Sequence, residues 1–188
     1  MEVWILFAIN DLVMYGSTGV CKIVDIRSES FSGTARDYYV LLPESDPKAT
    51  IFCPVDAPPS RIRRLLSREE VFELVHMLPE EGVPWIEGDA ERRDTYRTIL
   101  KKGSHRELAG LIKTLHQHRQ AREKAGRKFH LADERILNQA ERLLHGEIAH
   151  ALDIQPDQVV PFIVGELRLA HPETAAGEPA PQEAPAID

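Results

Sequence analysis

The spacing of apolar residues changes once along the chain, at Ser67. Before it, apolar positions come in short runs or alternate with polar ones, separated by breaks that carry glycine and proline. "VWILFAI" (residues 3–9) is a continuous apolar run and reads as a first strand. "DLVMYGSTGVCKIVDI" sets Val13, Tyr15, Val20, Ile23 and Ile26 around a turn bracketed by Gly16 and Gly19, where glycine permits positive φ. "FSGT" is a second turn, "DYYVLL" a strand, "ESDPKA" a turn and "TIFCPV" another strand. Pro54 has no N–H to donate, so this strand lies at an edge or ends there. Phe52 and Cys53 alternate, so only one of them faces the core. "VDAPPSRIRRLL" reads as the exit from the β unit, stiffened by Pro58 and Pro59.

From Ser67 onward the period is helical. Ser67 with Glu70 makes a capping-box pattern, and Val71, Leu74, Val75 and Leu78 form an apolar stripe. "PEEGVP" breaks it. A second helix runs from about Asp89 to Lys102 with Gly103 as its cap. Ser104 and Glu107 repeat the capping box, and a third helix reaches about Lys124 with Leu108, Leu111, Ile112 and Leu115 inward. After the "AGRKFH" loop, residues 131–152 form a fourth helix with Ile136, Leu137, Ala140, Leu143, Leu144, Ile148 and Leu152 apolar. Pro156 opens a short fifth helix to about Leu167, and Pro161 either splits it or shifts its start. Beyond Ala170 the Pro/Glu/Ala-rich composition predicts disorder. The fold class is therefore α+β. A small, strongly bent sheet or barrel (1–66) precedes an all-α domain of about five helices (67–168) and a disordered acidic, proline-rich tail (169–188).

Charge sharpens this picture because it is unevenly placed. The net charge is −7, and residues 153–188 carry a net −6 of it. Residues 67–91 hold one arginine against eight acids. Residues 92–128 hold twelve Lys/Arg against three acids. Screening limits exposed charges to a reach of about 8–10 Å, so this local basic run matters more than the total. Arg93, Arg97 and Lys101 are spaced i, i+4, i+8 and share a helical face, followed by Lys102 and Arg106 and, in the later loop, Arg127 and Lys128. Arg92 opens the run. A solvated helix face is the plain reading of any one of these charges. As a set they suit phosphate contacts, which are sequence-tolerant and salt-dependent. Trp85 sits just before the run in a break flanked by Pro84 and Gly88, either packed between helices or presented outward.

Chemistry-bearing motifs are few. The histidines form no HExxH pattern, and there is no nucleophile elbow and no phosphate-cradling glycine loop, so we expect neither an enzyme nor a cofactor or metal. Cys21 and Cys53 lie in apolar strand-like runs. They read as buried thiols in a reducing compartment, with a disulfide or metal pair as the alternative. No apolar run approaches the ~20 residues of a membrane span. The opening "MEVWILFAIN" lacks the basic region and cleavage site of a signal peptide, so a cytoplasmic location is expected.

"NDLVMYGSTGVCKIVDI", "YYVLL", "IFCPV", the "RIRRLLSREEV" junction, Trp85, "LKKGSHRELAGLIKTL" and "AERLLHGEIAHAL" together, in this order, resemble the CarD/CdnL family of bacterial transcription regulators over roughly residues 7–165. The resemblance implies that the N-terminal unit is a Tudor/SH3-like barrel, similar to the polymerase-interacting domain of transcription-repair coupling factors. It would dock on the RNA polymerase β subunit, partly by strand pairing. The helical domain would lie over promoter DNA at the upstream edge of the bubble, where the family's tryptophan wedges into the minor groove and stabilises the open complex. Trp85 matches that tryptophan. Asn10 stands where the family usually has glycine before the aspartate.

On this reading the DNA-binding set is Trp85, Arg92, Arg93, Arg97, Lys101, Lys102, Arg127 and Lys128. The polymerase-binding set is Arg27, Arg36, Tyr38 and Tyr39 with Ile51, Phe52 and Pro54 of the edge strand, for which ordinary barrel residues are the plain alternative. The expected partners are the polymerase β subunit and promoter DNA, engaged as a monomer and away from any membrane. The competing function is an adaptor whose helical domain contacts protein instead of DNA.

Overall fold

A computed structural model describes residues 7–31, 33–78, 82–102 and 104–170. Five strands, β1 (Leu12–Tyr15), β2 (Gly19–Glu29), β3 (Arg36–Pro43), β4 (Ile51–Pro54) and β5 (Ile62–Arg64), are followed by five helices. These are α1 (Arg68–Met77), α2 (Asp89–Lys102), α3 (His105–Lys124), α4 (Leu131–Leu152) and α5 (Val159–Ala170). A 3-10 turn at Pro156–Gln158 leads into α5.

The strands form one antiparallel sheet in the order β4-β3-β2-β1-β5. The expected closed barrel is corrected to an open sheet. Its two outer strands are short, four and three residues, and they do not pair with each other. The sheet still bends, helped by a bulge in β2 between Ile23 and Asp25. β4 is an edge strand and ends at Pro54, as the missing N–H requires. "RIRR" is not an exit segment: Ile62–Arg64 return as β5 and pair with Val13–Tyr15 of β1. The expected first strand over 3–9 does not extend through its described end. Residues 7 and 8 are irregular and residues 9 and 10 turn, while residues 1–6 lie outside the described residues.

That turn explains a sequence departure. Asn10 has φ 78°, the left-handed region that glycine enters freely and asparagine tolerates best among other residues. Its N–H donates to Ile23 O at 2.8 Å, which fixes the chain entering β1 against β2.

Strand alternation divides the sheet between two cores. Val13, Cys21, Ile23, Tyr39, Leu41, Cys53 and Ile62 pack on one face with Phe7. Met14 and Val20 point the other way, into a cluster with Tyr96, Ile99 and Leu100 of α2, Leu108, Leu111 and Leu115 of α3, and Ile136, Leu137, Ala140 and Leu143 of α4. The sheet and the helices therefore share buried side chains. At Gly19 (φ 100°) an added Cβ would meet Leu143 Cδ2 at 3.3 Å, and the backbone conformation is strained for any residue with a Cβ, so glycine suits the close approach of the first hairpin to α4. A further cluster joins α1, α4 and α5 through Val71, Leu74, Val75, Leu144, Ile148, Leu152 and Val159.

The helix starts follow the capping chemistry in part. Ser67 and Glu70 complete a reciprocal capping box on α1. Ser104 makes no side-chain cap on α3, contrary to expectation; it contributes only its backbone carbonyl, which accepts from Leu108 N. Pro161 is accommodated because it falls in the first turn of α5, where its missing N–H has no intrahelical partner to lose. The Gly103 cap and the tail beyond Ala170 lie outside the described residues.

Candidate nucleic-acid and polymerase interfaces

Two surfaces collect the residues singled out in the sequence. The first is the outer face of the sheet near its β4 edge. The β3–β4 register pairs Tyr38 with Pro54 and Val40 with Phe52, so Tyr38 and Phe52 rise on the face opposite the core. Phe31, 61% exposed, meets both rings edge-on at 5.2 and 5.1 Å. Arg27 lies over the Phe52 ring at 5.2 Å and also pairs with Glu29 at 3.0 Å. Arg36 is exposed and faces Asp56 at 3.7 Å. Ile51 packs partly against the sheet core.

Tyr39 is placed elsewhere. Its neighbour in the ladder is Cys53, and it is 1% exposed with its hydroxyl accepting from Phe7 N at 3.1 Å. It is a core residue and presents nothing to a partner. Phe31 was absent from the sequence-derived set because a lone phenylalanine beside "SG" carries no periodic signal.

Both thiols are buried and free. Burial, helped by Glu44, pushes the Cys21 thiol up to about 12, and burial pushes Cys53 to about 11. Groups held protonated in this way are packing residues, as the strand pattern implied.

The second surface surrounds Trp85. The segment before it is fastened to α3. Thr114 Oγ1 accepts from Val83 N at 3.2 Å and donates to Val83 O at 2.6 Å. At Gly110 an added Cβ would meet the Gly82 carbonyl carbon and Val83 Cγ2 at 3.3 Å. Tyr96 donates from its hydroxyl to Pro84 O at 3.2 Å. Arg92 Nη1 donates to Ile86 O at 2.8 Å and to Glu87 O at 3.3 Å.

Arg92 belongs to this scaffold and not to the exposed cationic set. It is 3% exposed, and its Nε and Nη2 make a bidentate pair with fully buried Asp133 at 3.0 Å each, while Nη2 also reaches Asp89 at 2.7 Å. With its donors taken, it has no free fork for a phosphate. Its guanidinium carbon lies 4.3 Å from the Trp85 ring centroid. The His118 imidazole stacks on Trp85 at 3.4 Å between centroids, 12° from parallel. An imidazole lying flat at that distance leaves only the opposite face for the guanidinium. Trp85 is half-buried, and its Nε1 is buried without a hydrogen-bond partner among the described residues. Burial holds the His118 pKa below its ordinary value, and Arg122 acts in the same direction.

The remaining basic residues are presented as their spacing requires. Arg93, Arg97 and Lys101 are exposed along α2, and no ion pair engages them among the described residues. Arg127 and Lys128 are exposed in the α3–α4 loop, which is anchored by Arg122 Nε donating to Lys128 O at 2.8 Å. The Lys102 side chain lies outside the described residues. Among the described residues no helix is long and apolar enough to cross a membrane, and no cluster of His, Cys, Asp and Glu could hold a metal ion.

Residues 7–66 match the family model of the CarD-like/TRCF RID domain. The match covers about a third of the chain and takes in the whole sheet, including β5. No curated protein matches the chain at a significant level.

Proposed function

We propose that this chain, whose residues 7–66 match the CarD-like/TRCF RID domain, is a transcription regulator that holds RNA polymerase with its sheet and upstream promoter DNA with its helices. The observation that carries the reading is the combination of this domain match with the outer β4 edge, which pairs with no further strand among the described residues, and its aromatic patch. An unpaired edge offers backbone N–H and C=O groups to a partner strand, and Phe31, Tyr38 and Phe52 give the apolar contact area that strand pairing lacks. The partner would be the polymerase β subunit.

The helical half supplies the DNA contacts. Arg93, Arg97 and Lys101 project from α2, with Arg127 and Lys128 beyond it, in a chain whose overall charge is negative. Such groups bind phosphate without reading sequence. Trp85 is the wedge at the upstream edge of the bubble. Its ring faces are covered by His118 and Arg92, so it meets the duplex with an edge. The regulator acts by binding the open polymerase–promoter complex in preference to the closed one, and its affinity for free DNA is low.

The test has two arms on the full chain. Phe31→Glu and Phe52→Glu should abolish co-purification with RNA polymerase while the melting temperature stays unchanged. Reversal to glutamate at Arg93, Arg97 and Lys101 should shorten open-complex lifetime and flatten its salt dependence, with polymerase binding retained. If the reversal leaves promoter complexes as long-lived as before and removes a protein partner instead, the helical half is a protein adaptor.

A further inference from the structure

We infer that His118 is the positioning residue for Trp85: with Arg92 on the opposite face it forms a two-sided clamp that holds the indole as a fixed, edge-out blade. The clamp itself follows from the geometry around the ring. Its use against DNA rests on the proposed function.

The two jaws differ in kind. The Arg92 jaw is immovable. Its guanidinium is held by Asp133, Asp89 and the carbonyls of Ile86 and Glu87, and it is buried. The backbone on both sides of Trp85 is also pinned, by Thr114 at Val83, Tyr96 at Pro84 and Arg92 at Ile86. The indole N–H contributes nothing, since it has no partner among the described residues. What orients the ring about its own side-chain torsions is its packing on the α2–α3–α4 cluster together with the contacts on its faces.

The His118 jaw is the half-exposed one, on α3 beside a shallow groove lined by Gly82, Val83, Trp85, Thr114 and Gln117. A stacked aromatic pair shifts a conformational equilibrium by roughly 2- to 10-fold. Without His118 the outer face of Trp85 would open onto that groove and the ring would gain rotational freedom. An apolar wedge works by insertion between stacked base steps, and a ring that swings freely must first be ordered before it can insert.

Protonation gives the jaw a signature that a passive packing residue lacks. The groups facing His118 are Arg122 on its own helix, Arg92 on α2, Asp133 on α4 and Glu87 in the connecting loop. Burial and the two arginines disfavour the imidazolium and outweigh Asp133 and Glu87, which favour it, so protonation below the ordinary histidine range of about 6.5 works against the buried position of the His118 ring.

The experiment places Trp85 as the sole indole by Trp4→Phe, since Trp4 and Trp85 are the two tryptophans of the chain. His118→Ala and His118→Phe are compared with the parent by acrylamide quenching and fluorescence anisotropy between pH 5 and 8. The parent should lose Trp85 protection toward pH 5. His118→Ala should show a quenching constant raised about twofold or more at every pH, by the lost stack. His118→Phe should restore protection and be flat with pH. Equal quenching in parent and His118→Ala overturns the clamp, as does failure of His118→Phe to restore protection.

Open-complex lifetime measured on the same proteins separates the two levels. Shortening by His118→Ala with recovery by His118→Phe supports the clamp as a DNA-positioning device. If Trp85→Ala itself leaves the lifetime unchanged while His118→Ala still mobilises the ring, the wedge function fails and the clamp stands.

Discussion

Arg63 of the sheet and Glu147 of α4 meet fork to fork, with Nη1 on Oε1 at 2.6 Å and Nη2 on Oε2 at 3.0 Å. Glu147 is fully buried, and its Oε1 also accepts from Leu66 N at 2.9 Å and contacts His105 Nε2 at 3.0 Å. One carboxylate thus joins β5, the strand-to-helix junction, α3 and α4. Glu147→Ala would remove the carboxylate that pairs with Arg63 and the acceptor of the Leu66 N–H in a largely buried site. We predict a loss of about 3–5 kcal/mol, read by urea unfolding.

The same residue sets an acid limb. Burial pushes its carboxyl up, but hydrogen bonds from His105 and Arg63 outweigh burial and leave it below its ordinary value. A carboxyl depressed in the folded state stabilises above its unfolded pKa of about 4.3 and loses that stabilisation as pH falls through the folded value. The parent should therefore lose stability steeply below pH ~4, and Glu147→Ala should show a shallower slope over the same range. Parallel slopes would assign the acid limb to other groups.

Arg92 and Asp133 make the second buried pair, and here the shape of the guanidinium matters. Lysine is a point charge and cannot span both Asp133 oxygens, Asp89 and two carbonyls. Arg92→Lys should lower stability by about 2–3 kcal/mol and raise Trp85 accessibility, because a jaw of the clamp is lost. Calorimetry and acrylamide quenching check the two effects separately.

Asn10 offers a backbone test. At φ 78°, Asn10→Gly should change stability by no more than about 0.5 kcal/mol, since relief of strain and added unfolded-state entropy oppose each other. Asn10→Val should cost about 1–2 kcal/mol or more, because a β-branched residue resists this region. Thermal melts of the three proteins decide it.

Cys21 and Cys53, raised to about 12 and about 11, should react with a thiol reagent at pH 8 only as the protein unfolds. Labelling rates across a urea series should follow the unfolding curve. Rapid labelling of the native protein would place a thiolate at the surface.

The helices were legible because their signals are local. Apolar residues recur every three or four positions, a serine-to-glutamate box starts α1, and glycine or proline breaks separate the elements. β5 was not legible. Ile62–Arg64 is three residues long, follows two prolines, and becomes a strand only by pairing with β1 some fifty residues earlier. The open sheet escaped for the same reason, since closure depends on the partners of the outer strands.

At the site, helical phase held a clue. Arg92 falls in step with Tyr96, Ile99 and Leu100, the buried side of α2, whereas Arg93, Arg97 and Lys101 occupy the exposed side. A count of charges merged the two faces. Tyr38 and Tyr39 were separable only through the register with β4, which composition does not encode. The stack of His118 on Trp85 joins residues 33 positions apart and left no trace in local pattern.

The two fully buried acids of α4 have a joint consequence. Asp133 lies in its first turn and secures Arg92 beneath Trp85; Glu147 lies near its other end and secures Arg63 of the sheet. They are 14 residues apart, so the helix rise sets them about 21 Å from each other and within about 40° of the same azimuth. α4 is thus a ruler between the sheet and the tryptophan. One residue added between the two acids would lengthen the span by only ~1.5 Å but swing one anchor ~100° around the axis. The length tolerance of this segment should be close to zero even where its exposed residues can be freely exchanged.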